Sequence, residues 1–196
     1  MKTTSIMIVG VGGQGSLLAS RLLGNLFVNA GHDVKVSEVH GMSQRGGSVV
    51  TYVRYGDAVY SPIIEEGEAD FIVSFEELEA LRYAKYLKDG GVIVTGEKRI
   101  DPMPVITGAA EYPADVIGAL RDKGIKVDSM DAAAAAKAAG SEKAENVVLM
   151  GLLSKHFDIP ESDWIAAVEA TVPAKFLDLN KAAFLAGRSG SPRFAW

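Results

Sequence analysis

Cysteine is absent from the 196 residues of this sequence. That excludes disulfides, thiol nucleophiles, cysteine-ligated zinc and any self-contained iron–sulfur cluster. Histidine is nearly as scarce: His32, His40 and His156 are the three present, scattered with no paired acid in view. No apolar run is long enough to span a bilayer. Met1-Lys2-Thr3-Thr4 leads straight into a strand-like run with no visible signal peptide, so a cytoplasmic location is expected. An excess of positive charge is also missing. The net charge of −5 argues against wholesale binding to nucleic acid or to an anionic membrane.

Hydrophobic residues make up 48% and charged residues 23% of the chain, close to the soluble globular average. A chain of this length can bury a core that stands without disulfides or structural metal. Ser5–Val9 is a short apolar run that reads as a strand buried on both faces. Leu17, Leu18, Leu22, Leu23 and Leu26 follow at helical spacing over 16–30, with Gly31 as the C-cap. Residues 33–38 complete a βαβ unit whose two strands are expected to be parallel neighbours.

Residues 48–55 alternate as a strand. Gly56-Asp57 is then a turn candidate, and an antiparallel hairpin with 58–60 is expected. A core strand over 71–75, a helix over 76–87 ended by Gly90-Gly91, and a strand over 92–95 come next. A helix over 114–123 and a strand over 125–129 close this part. From Asp131, a candidate N-cap, the texture turns helical, with segments at 132–139, 146–157, 162–169 and 174–186 broken by Pro160 and Pro173.

The expected fold class is therefore α/β, as three α/β/α layers around a mostly parallel, Rossmann-like sheet with a helical C-terminal third. The expected organisation is one domain over 1–196: a sheet core at 1–130, helices at 131–187 and a tail at 188–196.

Gly10-Val11-Gly12-Gly13-Gln14-Gly15 lies between the first strand and the first helix. Such a turn presents N–H groups at a helix N-terminus, a ready anion site. Gly10, Gly12 and Gly15 satisfy G-x-G-x-x-G, and Glu38 stands where an acid would meet a ribose. A free-standing NAD(P)-binding Rossmann-type oxidoreductase is thus one possibility. Against it stand the short chain, the lack of a hydride-transfer constellation and a loop richer in glycine than the fingerprint asks. The glycines could equally serve only close helix–sheet packing. Gln14 could bond a ligand or tie down its own loop.

The second loop, Glu38-Val39-His40-Gly41-Met42-Ser43-Gln44-Arg45-Gly46-Gly47-Ser48, is the more informative. It follows the carboxyl end of a strand, where open α/β sheets build their sites. Its arginine offers a planar fork for phosphate or carboxylate, and its glycines let another surface approach. Arg45 could instead form a structural ion pair with Glu38, and His40 reads more as a loop residue than as an acid–base group. The run Ala132–Ala136 is plain helix propensity. Trp164, Phe176 and Phe184 read as core or interface, and Phe194 and Trp196 in the tail as candidates for docking on a partner.

Together the two loops resemble the gamma-type domain of the 2-oxoacid:ferredoxin oxidoreductases. The wording of the second is nearest to the small (beta) subunits of the indolepyruvate type. The likeness extends through Asp70–Phe75, the 146–153 helix, Lys175, Asn180, Phe184 and Gly187.

The resemblance implies a cofactor-free small subunit, inactive alone. Thiamine diphosphate, magnesium and iron–sulfur clusters would sit on a large partner subunit. That partner decarboxylates a 2-oxoacid, passes electrons to ferredoxin and transfers the acyl group to coenzyme A. It further implies that Gly12, Gly13, Gln14, Gly15, Glu38, Arg45, Gly46 and Gly47 form the binding surface, with coenzyme A a candidate contact. No catalytic or metal-ligating residue is expected on this chain. The residues agree with that division: there is no cysteine for clusters, and no G-D-G followed by paired asparagines to place magnesium and diphosphate. A scaffold that touches no ligand is the remaining possibility.

Overall fold

The structure, a computed structural model, describes residues 3–39 and 47–190. The candidate residues from His40 to Gly46, Arg45 among them, and Phe194 and Trp196 lie outside the described residues. The chain runs β1 (Thr4–Val11), α1 (Ser16–Asn29), β2 (Asp33–Val39), β3 (Ser48–Gly56), β4 (Ala69–Ser74) and α2 (Glu77–Tyr83). It continues through β5 (Leu87–Gly96), α3 (Met103–Ile106), α4 (Val116–Asp122) and β6 (Lys126–Met130). The C-terminal helices are α5 (Ala132–Ala138), α6 (Glu145–Ser154), α7 (Glu161–Thr171) and α8 (Leu177–Ser189).

The strands form one sheet in the order β2-β3-β1-β4-β5-β6. Strand periodicity separates its two faces. Ile6 and Ile8 of β1 pack into a cluster with α1 and the C-terminal helices. Met7 and Val9 pack into a second cluster with residues of α2 and α4. The sheet is thus sandwiched between two helical layers, and β1 is buried on both sides as its unbroken apolar run requires. The β1–β4, β4–β5 and β5–β6 pairs are parallel.

Three expectations are corrected. First, β1 and β2 are not neighbours: β3 lies between them, antiparallel to both. The exposures explain the order. Val50, Thr51, Val53 and Tyr55 of β3 are all buried, whereas every described residue of β2 keeps some access to solvent. The more apolar strand takes the interior and Asp-Val-Lys-Val-Ser-Glu-Val takes the edge. Second, the antiparallel partner of β3 is not residues 58–60, which form no strand. Third, Gly90-Gly91 lies within β5 rather than ending a helix. Gly90 takes φ 77° and the β4–β5 register shifts nearby, so the pair makes a bulge. The helix expected over 76–87 is correspondingly shorter, since α2 passes into a 3-10 turn at Ala84–Tyr86.

The C-terminal third forms as its local signals direct. Asp131 caps α5, its Oδ1 accepting the Ala134 N–H at 2.8 Å. Asp131→Ala should therefore cost about 1 kcal/mol, read as a lower urea midpoint with unchanged slope. An unchanged midpoint would mean the cap contributes nothing. Helix α6 is buried over Asn146–Ser154, as a helix apolar all round must be. Trp164 and Phe184 stack at 5.8 Å within the same core; of the three aromatics read as core or interface these two are core, whereas Phe176 is 48% exposed.

Candidate functional site

The first glycine turn links the carboxyl end of β1 to α1. Gly13 and Gly15 adopt φ 102° and 89°, a region open mainly to glycine. Gly15 occupies the N-cap of α1 and so supplies no side-chain cap. The first N–H groups of this helix consequently remain for an anion, helped by the positive end of the helix dipole. Space exists for one, since a side chain at Gly13 would meet no atom within 4 Å.

The turn is held from three directions. Gln14 accepts the Val11 N–H through Oε1 at 2.6 Å and donates through Nε2 to the Phe75 carbonyl at 2.9 Å. Its side chain therefore ties the loop to the start of α2. Asn146 of α6 donates to the Gly15 carbonyl at 3.2 Å. Gly12 donates its N–H to the Gly47 carbonyl at 2.8 Å. This last bond brings the end of the second glycine loop onto the first, at the carboxyl end of β1.

Gly13, Gln14 and Gly15 line a hollow of about 440 Å³ with Lys98, Glu142, Lys143, Glu145 and Asn146. Lys98 bonds Glu145 at 2.7 Å. Two ammonium groups thus stand beside the open helix end together with the carboxylates of Glu142 and Glu145, so any attraction for a phosphate there comes from the helix N–H groups and from individual lysines rather than from a net positive charge. Next to it, sharing Lys143 and Asn146, is a smaller hollow walled by Leu18, Val172, Pro173 and Phe176. Lys98 and Lys143 escaped the sequence reading. Lys98 could have been found, since it follows the carboxyl end of β5; Lys143 lies in the loop before α6 and carries no local signal.

The remaining candidate residues divide. Gly12 and Gly47 are in direct contact. Glu38 lines a different hollow, with Leu17, Ser20, Arg21 and Val36, and accepts a bond from Ser20 at 3.3 Å. In a dinucleotide fold the strand bearing the ribose-binding acid adjoins the first strand. Here β3 intervenes, so Glu38 stands about 5 Å further out than that geometry asks. Among the described residues no group of three or more His, Asp or Glu could hold a metal ion, and no helix is long and apolar enough to cross a membrane.

Comparison with known proteins identifies the family. The family model described as pyruvate ferredoxin/flavodoxin oxidoreductase matches residues 5–190. Indolepyruvate oxidoreductase subunit IorB of Thermococcus kodakarensis is 46% identical over 192 residues, covering 95% of each chain. The subunit of the same name from Pyrococcus horikoshii is 44% identical over 94% of each chain. Among solved structures, pyruvate oxidoreductase subunit PORC of Thermotoga maritima superposes with a TM-score of 0.72 at 20% identity, over 96% of each chain. A 2-oxoglutarate:ferredoxin oxidoreductase of Magnetococcus marinus, solved with 2-oxoglutarate, coenzyme A and succinyl-CoA, gives a TM-score of 0.73 at 20% identity. That match covers 96% of this chain and 31% of the other, so the same fold there forms part of a longer polypeptide. A family match over 5–190, with near-full-length identity to these subunits, leaves one assignment: the chain belongs to the pyruvate ferredoxin/flavodoxin oxidoreductase family.

Proposed function

We propose that this chain is the small subunit of an indolepyruvate-type 2-oxoacid:ferredoxin oxidoreductase, holding no cofactor alone and shaping the coenzyme A side of a site shared with a large subunit. The observation that carries this is the Gly12–Gly47 hydrogen bond, which sets the last glycine of the second family loop against the first turn. Near-full-length identity of 46% with an indolepyruvate oxidoreductase subunit supports the substrate class. In this reading, Gly12, Gly13, Gln14, Gly15, Arg45, Gly46 and Gly47 form the binding surface and Glu38 its outer margin. The N–H groups of α1 and the ammonium groups of Lys98 and Lys143 face phosphate, while Gln14 and Asn146 keep the turn in shape. Residues 1–196 act as one domain, with Phe194 and Trp196 of the 188–196 tail as contacts for the partner.

The partner supplies thiamine diphosphate, magnesium and the iron–sulfur clusters, which carry the decarboxylation and the electrons. This chain adds orientation and charge, and ferredoxin is reached through the complex. Co-expression with the large subunit should give a complex that reduces a viologen dye only with both an arylpyruvate and coenzyme A. Omitting this chain should abolish that activity; activity unchanged without it would overturn the proposal. In the same assay Lys143→Glu should raise the KM for coenzyme A about tenfold, because one favourable charge becomes an unfavourable one beside a phosphate. An unchanged KM would remove Lys143 from the surface.

A further inference from the structure

Glu79 is 3% exposed, on α2, with no part in the binding surface described above. Burying a carboxylate is costly unless specific partners justify it. Its partners are few and directional. Oε2 accepts from the Ser48 hydroxyl at 2.5 Å, and Oε1 from Arg82 at 2.9 Å. The Tyr83 hydroxyl lies 3.0 Å from the same Ser48 oxygen. Burial pushes the Glu79 carboxyl above its ordinary value, an effect that Ser48 and Arg82 partly offset by favouring the charged form.

Ser48 directly follows Gly47, whose carbonyl receives the Gly12 N–H. On its other side, Glu79 donates its backbone N–H to Glu76, which follows Phe75, and Phe75 accepts from Gln14 of the first glycine turn. The bonds therefore close a circuit: Gly12 to Gly47, Ser48 to Glu79, Glu79 to Glu76, and Phe75 back to Gln14. Glu79 spans from α2 to the start of β3, and Tyr83 of the same helix meets the Ser48 hydroxyl beside it.

We propose that Glu79 is a positioning residue: through Ser48 it fixes the Gly47 carbonyl against the Gly12 N–H and so sets the shape of the turn that receives the anionic ligand. This rests on the functional reading above. The circuit acts as a unit, so breaking it at either end has the same consequence.

The test uses the assembled two-subunit complex, with Glu79→Ala, Glu79→Gln, Ser48→Ala and the double variant Ser48→Ala/Glu79→Ala. Ser48 is exposed, so its variant leaves the core intact. The KM for coenzyme A should rise about tenfold in Glu79→Ala, the factor one charge-assisted hydrogen bond carries, and less in Glu79→Gln, which retains an acceptor. The kcat and the KM for the arylpyruvate should stay within about twofold of wild type. The double variant should be no worse than Glu79→Ala alone, because both changes cut the same circuit. Amide exchange of the 10–15 segment, followed in the complex by mass spectrometry, should quicken in all the variants. Unchanged KM for coenzyme A and unchanged exchange in Ser48→Ala and Glu79→Gln would overturn the inference and leave Glu79 as an anchor for α2. A wild-type complex lacking coenzyme A-dependent activity would instead overturn the functional reading; the exchange measurement still judges Glu79 in that case.

Discussion

Replacing Gly151 by alanine should destabilise the protein by about 3 kcal/mol, a loss of roughly 6–12 °C in thermal midpoint for a chain of this size. Gly187→Ala should do the same. Helices α6 and α8 cross with their backbones in contact at these two residues. A methyl group at Gly151 would lie 2.0 Å from the Phe184 carbonyl oxygen, and one at Gly187 would lie 1.9 Å from that of Val148. Both obstacles are backbone atoms, so no rotamer change relieves them and the helices must move apart. The sign makes this a sharp test. In an unencumbered helix interior, alanine in place of glycine stabilises by about 1 kcal/mol. A rise in melting temperature would show that the two helices do not approach as described. Because α6 also carries Asn146, which holds Gly15, a shifted crossing should loosen the glycine turn as well.

Removing the His156 imidazole should have the next largest effect. Asp128 of β6 is 4% exposed, and its Oδ2 meets His156 Nε2 at 3.2 Å. Its other oxygen is buried with no hydrogen-bond partner among the described residues. His156→Leu would leave the acid with no partner for either oxygen, at a cost of about 3 kcal/mol. The double variant Asp128→Leu/His156→Leu should recover most of that loss, since an apolar pair removes the unpaired group together with its partner. Denaturant midpoints of the wild type, both single variants and the double variant form a cycle that isolates the coupling. Additive losses would show that the two side chains do not depend on each other. His156 is thus a structural histidine packed near Phe71, and it has the acid partner, Asp128, that the sequence did not bring into view.

Much of the fold was legible because its signals are local. The apolar run of β1, the leucine spacing of α1, the Asp131 cap and the proline breaks each act within a few residues, and the elements formed there within two or three residues of expectation. What misled was choice of neighbour. A strand-helix-strand pattern predicts parallel adjacency, yet nothing local to β1 or β2 reports that a later strand will pair with both. The apolar content of β3 set against the charged alternation of β2 is the hint that was available. Gly90-Gly91 misled for a related reason. A glycine pair marks a departure from ordinary backbone, but whether it ends a helix or bulges a strand depends on what lies alongside, here Asp70 and Leu87.

The candidate site shows the same division. Its glycines were visible because each answers a backbone requirement at its own position, and the two loops together were enough to point to the family. Which groups surround them was not visible. Lys98 arrives from the end of β5, Lys143 from the approach to α6, Asn146 from its first turn, and Glu79 from α2, after separations of tens of residues. By itself the sequence determined the elements, the glycine turns and the absence of cluster-ligating cysteines, because propensity, capping and chemical inventory belong to residues one at a time. Only the tertiary structure decided that Gly12 bonds Gly47, that β3 separates Glu38 from the first turn, and that a buried carboxylate braces the loops. Such contacts depend on which surfaces the packed core brings face to face, and no local pattern encodes that.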